Sequence, residues 1–151
     1  MVNNQNLRIV DPCNCNIVPT PDAKGVLRRR ITNGPVYDLM AVKDVVSNPD
    51  NSIKFVTSNA AHDKFKFDMG PRALRPFIAK LKAGADGHYK HSERCEASPA
   101  TIPPPWELDC DAYAMKWNRI TQQEFSDGME FYLKFGFSDH TPGCLIVSIH
   151  D

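Results

Sequence analysis

The sequence predicts an α+β domain: N-terminal helices packed on one face of a mostly antiparallel C-terminal sheet. Two observations carry that expectation. Apolar residues recur at helical spacing between about residues 36 and 83, whereas the last third of the 151-residue chain alternates with a period of two. The connections between the last three strand-like segments are also short enough for antiparallel neighbours. A run of helices followed by a run of strands is the α+β pattern. Length and an apolar content of 42% suit one domain with a core of its own.

Taken in order, residues 1–30 read as an N-terminal arm, either mobile or strapped over the domain, because Asn, Pro and Asp dominate and periodicity is weak. Within it, Lys24 to Arg30 (KGVLRRR) forms a basic cluster. That cluster is either a solvated hinge or a phosphate-contacting element. Residues 31–151 read as a single domain. VYDLMAVKDVV, at 36–46, places Tyr37, Met40, Ala41, Asp44 and Val45, mostly apolar, at helical stations, with Pro35 in the first turn and Ser47-Asn48-Pro49 as the stop. Ile53 to Val56 is a short strand. Thr57 or Ser58 caps a helix through NAAHDKFKF, since either hydroxyl accepts a free backbone N–H. A third helix covers about 72–83, with Leu74, Phe77, Ile78 and Leu81 on one face and Gly84 as its stop. His88 to His91 reads as a strand, and 92–105, with its run Pro103-Pro104-Pro105, as a stiff loop.

Three strands follow, at about 106–117, 129–137 and 144–150. In GMEFYLKFGF, Met129, Phe131, Leu133, Phe135 and Phe137 share one face, while Glu130, Tyr132 and Lys134 share the other. In CLIVSIHD, Leu145, Val147 and Ile149 oppose Ser148 and His150. In WELDCDAYAMKW, Trp106, Leu108, Cys110 and Ala112 oppose Glu107, Asp109, Asp111 and Tyr113. This parity predicts a polar sheet face bearing an acid, a phenol, an amine and an imidazole.

No apolar run approaches the roughly 20 residues of a membrane helix, and the N-terminus lacks an apolar signal core, so a cytoplasmic protein without membrane association is expected. Five cysteines at irregular spacing do not form a disulfide framework. Cys13-Asn-Cys15 lacks the usual two-residue gap of a zinc site, and the acids Glu107, Asp109 and Asp111 lack a calcium-loop geometry. Neither a metal nor another cofactor is expected. Net charge is zero, but residues 54–94 hold nine Lys/Arg against four Asp/Glu, and residues 95–151 hold three against nine. A basic middle segment suits phosphates, although oppositely charged solvated surfaces have the same composition.

The polar face has the parts for metal-free RNA cleavage. A base removes the ribose 2′-hydroxyl proton, a cation stabilises the phosphate as its charge grows, and an acid protonates the leaving 5′-oxygen. Glu107 or His150 is the candidate base, Lys90 or Lys134 the phosphate-holding cation, and Tyr132 or His150 the acid. His88, Tyr89, His91 and Lys134 are candidate RNA contacts. The product would be a 2′,3′-cyclic phosphate.

The order of these segments resembles the MqsR family of bacterial type II toxins, which are similar in fold to RelE-like ribonucleases. The resemblance runs from Val36 to Asp151 through VYDLMAVKDVV, FVTSNAAHDKFKFDMG, the pair Tyr89-Lys90, Trp106-Glu107 with Asp109, FYLKF at 131–135 and the ending IVSIHD. It implies an mRNA interferase and a cognate antitoxin protein as partner, with the family's active-site lysine falling on Lys90 and its tyrosine on Tyr132. The chain departs from the family at Glu107, where a glutamine is usual, and at Ile149-His150, where a lysine is usual. A competing reading on the same fold is a non-catalytic interaction or inhibitor protein that binds a protein partner through its acidic C-terminal half.

Overall fold

The computed structural model of the chain describes residues 7–66, 68–96, 107–139 and 141–150. After a 3-10 turn at Pro12–Asn14, the elements are β1 (Ile17–Pro21), β2 (Leu27–Ile31), α1 (Leu39–Ser47), β3 (Ile53–Phe55), α2 (Ser58–Lys66) and α3 (Pro71–Ala79). Then come β4 (Tyr89–Glu96), β5 (Glu107–Asn118), β6 (Gln123–Glu124), β7 (Met129–Gly136) and β8 (Cys144–His150).

This corrects the expected architecture of N-terminal helices packed on a mostly antiparallel, RelE-like C-terminal sheet. The chain is mostly sheet: eight strands form one mixed sheet in the order β1-β2-β4-β5-β7-β8-β3, with β6 on β5, and three nine-residue helices accompany it. Two strands precede every α-helix. The physical reason lies in residues 17–31, which fall almost wholly within the stretch expected as an N-terminal arm, mobile or strapped over the domain, and which instead supply two strands. Pro19 and Pro21 sit in β1, at the end of the sheet order, where a missing backbone donor is tolerated. The β1–β2 turn is built by Asp22, whose carboxylate accepts N–H bonds from Lys24 and Val26 while Gly25 takes φ +80°. Through Arg30 and Ile31 the hairpin continues the sheet onto β4. At the opposite edge β3 runs parallel to β8, which makes the sheet mixed.

One large cluster holds most of the buried apolar volume. Leu39, Val42 and Val46 of α1 and Leu74, Phe77 and Ile78 of α3 join Tyr113, Met115 and Trp117 of β5, Phe131, Leu133 and Phe135 of β7, and Ile146 and Ile149 of β8. Phe77 meets Trp117 edge-on at 5.4 Å, and Tyr113 stacks on Phe135 at 5.8 Å. Asp38 caps α1 by accepting from Met40 N–H, and Thr57 caps α2 by accepting from Ala60 N–H at 3.1 Å. The segment before α1 is pinned to the sheet by Asp111, which accepts from the backbone N–H groups of Val36 and Tyr37 and from the Ser92 hydroxyl. Gly34 approaches Ser92 and Tyr89 so closely that a Cβ would collide with both.

Side chains of the opposite parity lie outside this cluster. On β5 these are Cys110, Ala112, Ala114 and Lys116. A small second cluster, Val56, Cys95, Leu108, Cys110, Leu145 and Val147, covers one end of that face. No described helix is long and apolar enough to cross a membrane.

Candidate active site

The face away from the large core carries a trough whose floor is β5. Cys110, Ala112 and Ala114 are small, so the long side chains of the flanking strands reach toward each other over them. The register places Ala112 between His91 of β4 and Lys134 of β7, and sets Lys134 beside Ser148 and Tyr132 beside His150 on β8. Two bridges cross the floor. The Tyr132 hydroxyl and His91 Nε2 lie 2.9 Å apart, and Lys134 Nζ donates to Glu93 Oε1 at 2.6 Å. His91 Nε2 is also 3.7 Å from Glu93 Oε1, an ion-pair distance rather than a hydrogen bond. On its other side the Tyr132 ring stacks on His150, with centroids 4.6 Å apart and planes 21° from parallel.

The electrostatics follow from this packing. Burial pushes the Glu93 carboxyl up, but His91 and Lys134 outweigh it and hold the pKa at about 2, so Glu93 is ionised. Burial opposes the charge on Lys134, yet Cys95, Tyr132 and Glu93 together keep its pKa above the usual lysine value. Burial is the first cause raising Tyr132, to about 12, so its hydroxyl keeps its proton at neutral pH. Where His91 Nε2 carries no proton the hydroxyl donates to it; where Nε2 is protonated the direction reverses.

Of the residues expected to carry chemistry, the trough brings together Tyr132, His150, His91 and Lys134. Four others lie elsewhere. Lys90 is exposed at the irregularity between Tyr89 and His91, where β4 slips one residue against β5. Tyr89 packs on Tyr113 at 5.7 Å and bonds Ser92 through its hydroxyl, beside the large core. His88 links Lys82 N–H, which donates to its Nδ1, with the Glu124 carboxylate. Glu107 shares its parity with Asp109 and Asp111, opposite to Tyr132 and His150, and is paired with Arg29 at 2.5 Å.

The reversal on β5 has a physical cause. Tyr113, Met115 and Trp117 carry far more apolar volume than Cys110, Ala112 and Ala114, so they take the core side. Asp109 and Asp111 follow them inward by parity. Asp109 is matched by Arg8 and Arg94, and Asp111 by Ser92 and two backbone N–H groups. These two acids are therefore buried and satisfied. Arg8 also reaches Cys15, whose thiol lies 3.7 Å from Asp109.

Glu93 escapes the sequence reading because β4 continues to Glu96, past the expected end at His91. Its signal was the alternation His91-Ser92-Glu93, which puts the imidazole and the carboxylate on one face. The residues 97–106, including Trp106 and the triple proline, lie outside the described residues. In comparisons with protein families, curated proteins and solved structures, nothing matches this chain.

Proposed function

We propose that the trough is the site of a metal-independent endoribonuclease, the toxin of a bacterial toxin–antitoxin pair, acting on mRNA in the cytoplasm and blocked by a cognate antitoxin protein. One observation carries this reading: a protonated phenol, Tyr132, held between two imidazoles, with an ion pair beside it. The toxin assignment rests on the resemblance to MqsR proteins, and the chemistry on this cluster.

The exposed His150 imidazole takes the proton of a ribose 2′-hydroxyl. The 2′-oxygen attacks the adjacent phosphorus, and the bond from phosphorus to the 5′-oxygen breaks. Tyr132 gives its proton to that oxygen and recovers one from the His91 imidazolium, which the Glu93 carboxylate stabilises. The products are a 2′,3′-cyclic phosphate and a free 5′-hydroxyl. One imidazole must start neutral and the other charged, so the rate follows a bell-shaped pH profile.

The test is incubation of the purified chain with RNA in excess EDTA, with end-group analysis of the fragments. Cutting is expected, with cyclic-phosphate ends. Tyr132→Phe keeps the ring and removes the proton, and is expected to lower the rate about 10²- to 10⁴-fold without changing the thermal transition by much. Intact RNA after incubation with a folded wild-type chain at high concentration, or full activity in Tyr132→Phe, would sink the reading.

A further inference from the structure

Three arginines end the β1–β2 hairpin, and two are already neutralised. Arg28 pairs with Asp22 at 3.0 Å, and Arg29 with Glu107 at 2.5 Å. Arg30 has no acid partner among the described residues, and its Nε is buried with no hydrogen-bond acceptor. A guanidinium N–H shielded from water and left unpaired is costly, so such a group is normally matched by something. The neighbouring acids do not supply the match. Glu93, directly across the β2–β4 pair from Arg30, is engaged by Lys134 and His91. Asp109 is held by Arg8 and Arg94, and Asp111 by Ser92 and two N–H groups.

Arg30 belongs to the trough by register. Its partner Glu93 faces Cys110, which puts Arg30 on the same side as His91, Tyr132 and Lys134. Its charge acts on the Tyr132 phenol, favouring the ionised form against burial. Lys134 is compensated by Glu93, whereas Arg30 keeps a full positive charge for an incoming anion. The trough also runs into a cleft of about 410 Å³, whose lining includes Arg28, Glu93, Lys134, Ser148 and Thr57. That is space of the size that holds a small ligand or a nucleotide.

We propose that Arg30 is the phosphate anchor of the trough, binding a backbone phosphate of single-stranded RNA so that the adjoining nucleotide lies in the cleft. The planar fork of arginine matches two phosphate oxygens at once, where a lysine offers a point charge. The hairpin then serves as a wall of the binding site. This rests on the RNA-cleaving reading for its choice of ligand, but binding can be measured apart from cleavage.

The experiment uses a short single-stranded RNA with every 2′-hydroxyl methylated, which cannot be cut by 2′-attack, and follows its binding to the full chain across a salt series. Arg30→Gln is expected to weaken binding about tenfold and to reduce the log–log salt slope by about 0.7, the share of one phosphate contact on a single strand. Arg30→Lys should recover the slope and only part of the affinity. Arg28→Gln, already neutralised by Asp22, should change affinity less than Arg30→Gln. In cleavage of unmodified RNA, Arg30→Gln should raise KM more than it lowers kcat. Wild-type affinity and slope in a folded Arg30→Gln, or no salt-dependent binding by the wild-type chain, would overturn the anchor. Arg30-dependent binding without any cutting by the wild type would leave the anchor standing and remove the ribonuclease reading. Cutting that is indifferent to Arg30→Gln would do the reverse.

Discussion

Glu93 and Lys134 are each nearly shut off from water, with side chains 5% and 12% exposed, and each is tolerable only because of the other. Removing one partner leaves an uncompensated charge in a poorly solvated place. Glu93→Gln is therefore expected to destabilise the fold at neutral pH by about 2–4 kcal/mol, measured by urea unfolding. The pH dependence has a definite sign. The folded pKa of Glu93 is about 2, below the ordinary 4.5, so the folded state favours the ionised acid. The stability it contributes is complete above about pH 4.5 and drains away as the pH falls through 2. Urea midpoints of the wild type should fall across that window more steeply than those of Glu93→Gln. Parallel curves would show that the ionised Glu93 carries no such stability. In the proposed mechanism, the same residue holds Lys134 across the trough and faces His91.

At the scale of elements, the hairpin and the segment before it are tied into the sheet and core at several points. Ile31 and Leu7 are both buried in the large cluster, and Arg8 donates to the buried Asp109 at 2.8 Å. A chain shortened to residues 32–151 should lose at least about 4 kcal/mol, since each buried aliphatic side chain alone is worth about 2–5 kcal/mol. Unchanged urea unfolding of the shortened chain would mean that neither the hairpin nor the segment before it adds to the core. The sequence made some of these elements readable and hid others, for identifiable reasons. The extent of β7 follows from strict alternation of large apolar residues and that of β8 from an apolar run, while the sequence leaves Thr57 and Ser58 open as the cap of α2 and the structure shows Thr57 accepting from Ala60 N–H. The facing of β5 does not follow, because Leu108, Cys110 and Ala112 look like a core stripe until their volume is set against Tyr113, Met115 and Trp117. Nor does the slip at Lys90, which separates Tyr89 from His91 by an irregularity that no local residue signals. Tyr132 and Lys134 are legible because β7 has an unambiguous core side, whereas β8 does not: a register shift splits the expected shared face, leaving Leu145 and Val147 in the small cluster and Ile149 in the large one. Glu93 is not legible, since β4 runs past its expected end at His91; Arg30 is legible only as one of a basic cluster, because the cluster's composition does not show that residues 27–31 form a strand of the sheet.

On the scale of the whole molecule, the sheet separates two jobs by face. Large apolar residues and all the described aromatic stacking around Phe135 lie on the side shared with α1 and α3, while the other side keeps small residues under a polar trough. Adjacent residues of β5 therefore ought to fail in different ways. Tyr113, 2% exposed and stacked on Phe135, belongs to the core. Tyr113→Ala should cost about 3–5 kcal/mol in urea unfolding, as for other large-to-small aromatic changes in cores. Ala112 is fully buried, but it lies in the trough floor, next to the bridges from Tyr132 to His91 and from Lys134 to Glu93. Ala112→Leu puts added volume into that crossing and pushes the phenol away from the imidazole. It should cost less stability than Tyr113→Ala, about 1–3 kcal/mol for an overpacked site, yet reduce RNA cutting at least tenfold in protein that remains folded. The two variants are to be compared in the same urea series and the same EDTA-containing cleavage assay. If Ala112→Leu cuts at the wild-type rate while folded, the bridges over β5 are not the site of the chemistry, and the small residues of that strand have some other purpose.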